Sequence, residues 1–122
     1  MTASLLLVLQ SDDPRRLRSG LALAAAAAAR DETVTILWEG PALQALCAGE
    51  LARSAGDWPA GVDQPSELHD ALCSLSTVQQ VACPTSVREA RLEVEVVERF
   101  VDGIRGLPTI LGECAGARIV YV

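Results

Sequence analysis

The chain has 122 residues, half of them hydrophobic, and a formal net charge of −6. All ten basic residues are arginine. They are scattered through an acidic chain, so the sequence has no basic patch of the kind that binds nucleic acid or an anionic membrane surface. We expect a single domain over residues 1–122, because this length is typical of one compact fold.

The apolar segments and the cysteines indicate in which cellular compartment the protein is expected. The longest apolar run, Leu21–Ala29, is too short to cross a bilayer. The N-terminal segment has no basic region of the kind that opens a secretion signal, so we expect a cytoplasmic protein. In that compartment the four cysteines are expected to be thiols. They form neither a Cys-x-x-Cys pair nor a Cys/His cluster, so no metal site is predicted.

The first half of the chain alternates between strand and helix patterns. Leu5–Leu9 is a continuous apolar run, which is typical of a strand buried on both faces. Ser11 or Asp12 can cap the helix that follows. Thr33–Trp38 predicts a second strand, and residues 42–53 a short amphipathic helix.

The alternation continues in the second half, with one stretch of uncertain type. Glu93–Gly103 first alternates like a strand and then has a helical pattern. The whole order predicts an α/β fold, with a mostly parallel five-stranded sheet and helices on both faces. The other segments are a Gly/Pro loop (Ser54–Pro65), a helix from Ser66, a strand (Thr77–Ala82), a helix within residues 106–116 and a final strand (Ala117–Val122).

Two adjacent aspartates, Asp12 and Asp13, follow the first strand. An acidic pair at this position is found in phosphate-accepting receiver domains, but those also need a lysine, and this chain has none. We therefore interpret the pair as a helix start, where carboxylates accept backbone N–H bonds. Because the carboxyl ends of parallel strands gather at one edge, Asp12 is also a candidate binding residue there.

Cys83 ends the third predicted strand, and a proline follows it. Ser86 and Glu89 have the Ser-x-x-Glu spacing of a capping box, which predicts a helix start beside the thiol. Arg88 and Arg91 are expected within the first two turns. Helix starts and nearby cations favour the thiolate form of a cysteine, which suits sulfur transfer or redox chemistry. The alternative is that Cys83 is a small apolar residue filling a strand end.

Five further residues have less specific surroundings. Cys47 and Cys73 lie inside helical patterns and are predicted to be core residues. Cys114 follows a short helix, where a core position is again favoured. His69 is predicted on the outer face of its helix, and Trp58 is predicted to cover the local core or to anchor a subunit interface.

The element order and the segment STVQQVACPTSVREARL together resemble the DsrE/DsrF family, which includes TusD-like and YchN-like proteins. The opening strand–helix–strand and the closing GLPTILGECAGARIVYV are also similar. The resemblance implies a parallel α/β fold and assembly into trimers or hexamers. It also implies persulfide carried on the strand-end cysteine, here Cys83, after transfer from a small TusA-type carrier. The family's Arg-Gly pair after the cysteine is replaced by Ala90 and Arg91, and some members lack the cysteine.

Two functions follow as hypotheses. The first is an intracellular sulfur-relay protein, a sulfurtransferase that needs no cofactor because the sulfur resides on the protein. Its partners are the TusA-type carrier and a homo-oligomer or a hetero-oligomer with related chains. The second is a non-catalytic subunit or small-ligand binding module of such an oligomer. A flavodoxin-like cofactor binder is disfavoured, because carboxylates in the first loop would repel a phosphate. The candidate site residues are Cys83 as the carrier and Arg88, Arg91, Ser86 and Asp12 for binding.

Overall fold

The fold is built on a single sheet of five strands, all parallel, in the order β4-β3-β2-β1-β5. The computed structural model describes residues 4–52 and 58–122. The parallel sheet with its connecting helices confirms the predicted α/β class. The strands are β1 (Ser4–Leu9), β2 (Thr33–Trp38), β3 (Val78–Ala82), β4 (Gly103–Ile104) and β5 (Arg118–Tyr121).

Helices connect successive strands, as a parallel sheet requires. None of the helices in the described part of the chain is long and apolar enough to cross a membrane. The first helix is capped by Asp13, which accepts the Arg16 N–H at 3.1 Å, and not by Ser11 or Asp12 as predicted; the acidic pair nevertheless stands at a helix start. The helices are α1 (Pro14–Ala29), α2 (Gly40–Cys47), α3 (Pro65–Cys73), α4 (Pro84–Glu89), α5 (Val94–Val97) and α6 (Leu107–Glu113), with a 3₁₀ turn at Glu50–Ala52.

One face of the sheet carries the larger core. Alternate residues of β1 and β2 point to this face, and helices α1, α2 and α3 cover it. The helix α1 lies close to the sheet because Gly20 has no side chain. A Cβ there would stand 2.6 Å from Leu9 Cδ2. The buried residues of this face include Leu5, Leu7, Leu9, Leu21, Ile36, Trp38, Leu43 and Leu72.

The opposite face has a smaller core. Its buried cluster is Leu6, Val8, Leu37, Val81 and Ile110, of which Ile110 belongs to α6. Ile119 and Tyr121 of β5 pair with Leu6 and Val8, so they lie on this face, yet they are 50% and 54% exposed. We call this side the α6 face; in the described part of the chain it is covered by one short helix, which leaves Ile119 and Tyr121 exposed.

The stretch 93–103, which the sequence left ambiguous, contains a one-turn helix and the start of β4. The strand β4 has two residues and pairs with Val81 and Ala82. Asp102 extends this pairing, because its carboxylate accepts the Gln80 N–H at 2.8 Å and its own N–H donates to the Gln80 carbonyl at 2.7 Å. Residues 54–57 of the predicted loop 54–65, and residue 53 at the end of the predicted helix 42–53, lie outside the described ranges, and Pro65 already begins α3.

Candidate functional site

The carboxyl ends of the strands bring four polar residues to one edge of the sheet. Gln10 follows β1, Glu39 follows β2, Cys83 follows β3 and Arg105 follows β4. Pairing of Trp38 with Ala82 and of Ala82 with Ile104 places Glu39 and Arg105 on either side of Cys83. Neighbouring strands lie about 4.8 Å apart, so the cysteine is flanked by one acidic and one basic strand end.

Cys83 is the N-cap of α4, with extended backbone angles (φ −72°, ψ 122°). Its N–H donates to the Trp38 carbonyl at 3.0 Å, and its carbonyl accepts the Val87 N–H at 3.0 Å. The side chain is half-buried and packs against the cluster of the α6 face. The first N–H groups of a helix have no hydrogen-bond partner within the helix. In α4 these include the N–H groups of Thr85 and Ser86, which follow Cys83 at the start of the helix.

Ser86 does not begin a capping box, so that prediction is wrong. The helix begins three residues earlier than the Ser-x-x-Glu spacing implies, because Pro84 takes its first position. Ser86 is instead buried, and its Oγ accepts the Gly40 N–H at 2.9 Å. Gly40 has a φ of +52°, a conformation that suits glycine. This bond joins the start of α2 to α4 and holds the loop after β2 against the cysteine segment.

Arg88 lies within the first two turns of α4, as predicted, but Arg91 does not, because the helix ends before it. The helix α4 has only six residues, and Arg88 is in its last turn. Arg91 follows the helix in the left-handed region (φ 53°). Both side chains are exposed. At about 1.5 Å of rise per residue, Arg88 stands about 7 Å along the helix axis from the cysteine.

Asp12 is exposed and precedes the capping residue of α1. Its neighbours fix the loop around it: Ser11 Oγ accepts the Asp13 N–H at 3.1 Å, and the Gln10 N–H donates to the Val122 carbonyl at 2.8 Å. The Gln10 amide also donates to the carboxylate of Glu39. Asp12 therefore lies at the predicted edge of the sheet, which the carboxyl ends of the strands form. It is two strands away from Cys83.

Arg105 is the residue that the sequence analysis missed. Its N–H donates to the Ala82 carbonyl at 3.1 Å, immediately before Cys83. Its Nε donates to Glu113 of α6 at 3.2 Å. The guanidinium lies over β4, since a Cβ on Gly103 would meet its Nη1 at 2.8 Å. Its Nη2 is buried and has no hydrogen-bond partner among the described residues.

A second polar cluster lies under α3, away from this edge, and contradicts two predictions. His69 is buried rather than on the outer face, with its ring edge-to-face on Trp38 at 5.7 Å. Cys73 is exposed rather than in the core, and its Sγ lies 3.6 Å from His69 Nε2. Gln80 connects the cluster, because it accepts from Trp38 Nε1 at 2.9 Å and donates to Cys73 Sγ at 3.4 Å.

Burial sets the protonation of this second cluster. It lowers the pKa of His69 from its ordinary value of 6.5, against a smaller opposing effect of Asp70. It raises the pKa of Cys73 above 9.0, and the Gln80 hydrogen bond partly offsets that rise. Both groups are therefore neutral at pH 7, because an apolar environment disfavours the charged form of each.

Cys47 and Cys114, both predicted to be core residues, are half-buried. Cys47 packs against the larger core, and burial raises its pKa. Cys114 packs against the α6 face and donates to Thr35 Oγ1 at 3.5 Å. Trp58, the first described residue of the loop, lies under the guanidinium of Arg15 at 5.8 Å. Within the described ranges, no three metal-ligating side chains form a group.

No family model matches the sequence, and no curated protein matches it. The structure is similar to that of MTH1491, a protein of unknown function from Methanobacterium thermoautotrophicum, with a TM-score of 0.65. The match covers 98% of this chain and 99% of that chain at 17% sequence identity. At this identity the similarity shows a shared fold, and the chain is an α/β protein of that architecture.

Proposed function

We propose that this chain is an intracellular sulfur-relay protein of the DsrE/DsrF type, in which Cys83 accepts persulfide sulfur and passes it on. The observation that carries the proposal is the position of Cys83. It follows an interior strand of the sheet, occupies the N-cap position of a helix and is partly exposed. The neighbouring strand end carries Arg105, whose buried Nη2 has no partner among the described residues.

The transfer step requires no cofactor. The Cys83 thiolate attacks the outer sulfur of a donor persulfide, R–S–SH. A new S–S bond forms on Cys83 while the donor S–S bond breaks, and the donor leaves as the thiolate R–S⁻. The proton stays on the transferred sulfur, so no net oxidation or reduction occurs. Delivery to an acceptor thiolate is the same exchange in reverse.

Two groups are positioned to stabilise the anionic sulfur. The amides that open α4 lie beside the N-cap position, where negative charge is favoured by about 0.3–1 kcal/mol. Arg105 is on the neighbouring strand end, and Glu113 of α6 accepts from its guanidinium, which lies over β4. The hydrogen bond from Gly40 to Ser86 fixes the loop on the other side. Ser86 thus acts on the site as a positioning residue.

The partners are part of the proposal. A small TusA-type carrier would deliver sulfur at the exposed edge formed by the strand ends. A second copy of the chain would cover the open part of the α6 face, where Ile119 and Tyr121 are exposed. Both faces of an all-parallel sheet are normally buried, and this rule favours a homo-oligomer.

Intact-mass measurement after treatment with a small persulfide donor tests the proposal. The wild type is expected to gain one sulfur atom, and Cys83→Ser to gain none. Cys47→Ser is the matched control, because it removes a half-buried thiol far from the strand ends and should load like the wild type. Equal loading of the wild type and Cys83→Ser would refute the proposal.

A second candidate function is a non-catalytic subunit or small-ligand binding module. The observation that favours it is the packing of Cys83 against the apolar cluster of the α6 face, which suits a structural thiol. In that case the protein would assemble normally but accept no sulfur, and Cys83→Ala would cost stability without a functional effect.

A further inference from the structure

The cluster under α3 consists of Cys73, His69 and Gln80, and it combines a thiol with groups that could activate it. The sulfur-relay proposal does not use this cluster. Cys73 Sγ lies 3.6 Å from His69 Nε2 and 3.9 Å from its Nδ1, so the imidazole is within reach of the thiol proton. The Trp38 indole donates to Gln80 Oε1, which turns the Gln80 amide N–H₂ towards the sulfur. A nucleophile, a base and an orienting donor therefore stand within contact distance of one another.

Two cavities meet at this thiol. One has a volume of about 650 Å³ and is lined by residues that include Thr35, Gln79, Gln80 and Asp102. The other, of about 440 Å³, is lined by residues that include His69, Asp70 and Arg99. Cys73 and Phe100 line both. Volumes of this size are typical of sites for small molecules, and the sulfur is reachable because Cys73 is exposed.

The charges around the thiol indicate which molecules the larger cavity suits. Among the described residues that line it, Asp102 is the one with a charge, and the other polar groups are hydroxyls, amides and the thiol itself. In the smaller cavity the carboxylate of Asp70 is accompanied by the guanidinium of Arg99. The larger cavity therefore favours a cationic group next to the sulfur.

We propose that Cys73 is a second reactive thiol, independent of Cys83, which forms mixed disulfides with small disulfides that carry an amine. His69 takes the Cys73 proton as the sulfur attacks R–S–S–R. A Cys73–S–S–R bond forms, the original S–S bond breaks, and the leaving R–S⁻ receives the proton from His69. The disulfide is the oxidant, and the exchange leaves one equivalent of R–SH. Because the thiol and the imidazole are both neutral at rest, this transfer generates the thiolate only at the moment of reaction.

The test compares three small disulfides of similar size on the full-length Cys83→Ser protein, which removes the thiol of the sulfur-relay proposal. Cystamine carries two amines, 2-hydroxyethyl disulfide is neutral, and 3,3′-dithiodipropionate carries two carboxylates. Adducts are followed by intact mass and assigned by peptide mapping. We expect Cys73 to react first, with cystamine fastest and the dicarboxylate slowest. Cys47→Ser and Cys114→Ser added to this background should not change the rate.

Two variants separate the roles of the neighbours. His69→Gln should slow the Cys73 reaction at least about tenfold, because general-base assistance is lost. Asp102→Asn keeps an oxygen for the Gln80 N–H and removes the charge, so the rate ratio of cystamine to the dicarboxylate should fall about fivefold. The proposal is overturned if Cys47 or Cys114 reacts as fast as Cys73, or if the three disulfides react equally. It is also overturned if, in folded His69→Gln, the Cys73 rate is unchanged. None of these outcomes bears on sulfur loading at Cys83.

Discussion

Cys83 has an acidic strand end on one side and a basic one on the other. The cysteine itself could be predicted from the sequence, because an apolar run, a cysteine and a proline mark a strand end and a helix start. Arg105 could not be predicted in the same way. Its place depends on the pairing of a two-residue strand with β3, and so short a strand has no periodicity of its own. Arg88 and Arg91 were predicted from spacing along a helix that proves to be only six residues long.

Replacing Arg105 tests which cation supports the sulfur. Arg105→Gln should slow sulfur uptake about three- to tenfold, because a charge-assisted donor beside the anion is lost. Arg88→Gln is the matched control. Its exposed side chain at the far end of α4 should change the rate less than about twofold by surface electrostatics alone. The measurement is the initial rate of sulfur gain by intact mass. The reverse ranking of the two variants would favour the sequence-based assignment.

At the scale of elements, local patterns predicted which helices form but not which sides they bury. The pattern of α3 turns Leu68 and Leu72 inward, and His69 stands one step round the helix on its flank. That flank is buried because Trp38 of β2 lies against it. The contact joins residues far apart in the sequence, so no pattern within α3 reveals it. The same reason explains why Cys73, four residues on, reaches Gln80 of β3.

The burial of His69 predicts a loss of stability in mild acid. The pKa of His69 is lowered in the folded protein, so the unfolded chain takes up the proton at a higher pH. The resulting stability is present above the unfolded pKa of about 6.5 and is lost as pH falls below it. Urea unfolding at pH 7 and pH 5 should show a larger drop for the wild type than for His69→Gln. The variant shares every carboxylate with the wild type, so equal drops would show that His69 does not contribute.

The close approach of α1 to β1 predicts opposite effects for two Gly→Ala substitutions. Gly20→Ala should destabilise the protein by about 1–3 kcal/mol, because the new methyl group would crowd the fully buried Leu9. Gly112→Ala, within α6, has no atom within 4 Å of the new Cβ. It should stabilise by up to about 1 kcal/mol through helix propensity. Thermal and urea unfolding measure both changes, and a loss of stability in Gly112→Ala as large as that in Gly20→Ala would contradict this description of the packing.

At the scale of the whole molecule, the two faces of the sheet are covered unequally. Within the described ranges, several helices bury one face, and α6 is the one helix that buries part of the other. The alternation of patterns predicted the parallel sheet and four of its strands, whereas β4 begins at the end of the stretch that the sequence left ambiguous. It could not predict this asymmetry, because the number of helices on each face depends on the direction of every crossover. The exposed Leu111, Ile119 and Tyr121 are on the less covered side.

The open part of the α6 face predicts self-association. Tyr121→Glu should convert the proposed oligomer into monomers, because a charge would be buried without a partner. Leu23→Glu is the control, since Leu23 is also exposed but lies on α1, which covers the other face. Size-exclusion chromatography with light scattering gives the mass of each. A monomeric wild type, or an oligomer unaffected by Tyr121→Glu, would mean that this face is not the interface.

The most direct test of the proposal that Cys83 carries sulfur is to locate the added sulfur atom in the loaded protein. After brief exposure to a limiting persulfide donor, the protein is alkylated to trap persulfides, digested and mapped by mass spectrometry. We expect most of the added sulfur on the peptide that contains Cys83, and much less on the peptides that contain Cys47, Cys73 and Cys114. An even distribution over the four cysteines, or accumulation at Cys73 instead, would contradict it.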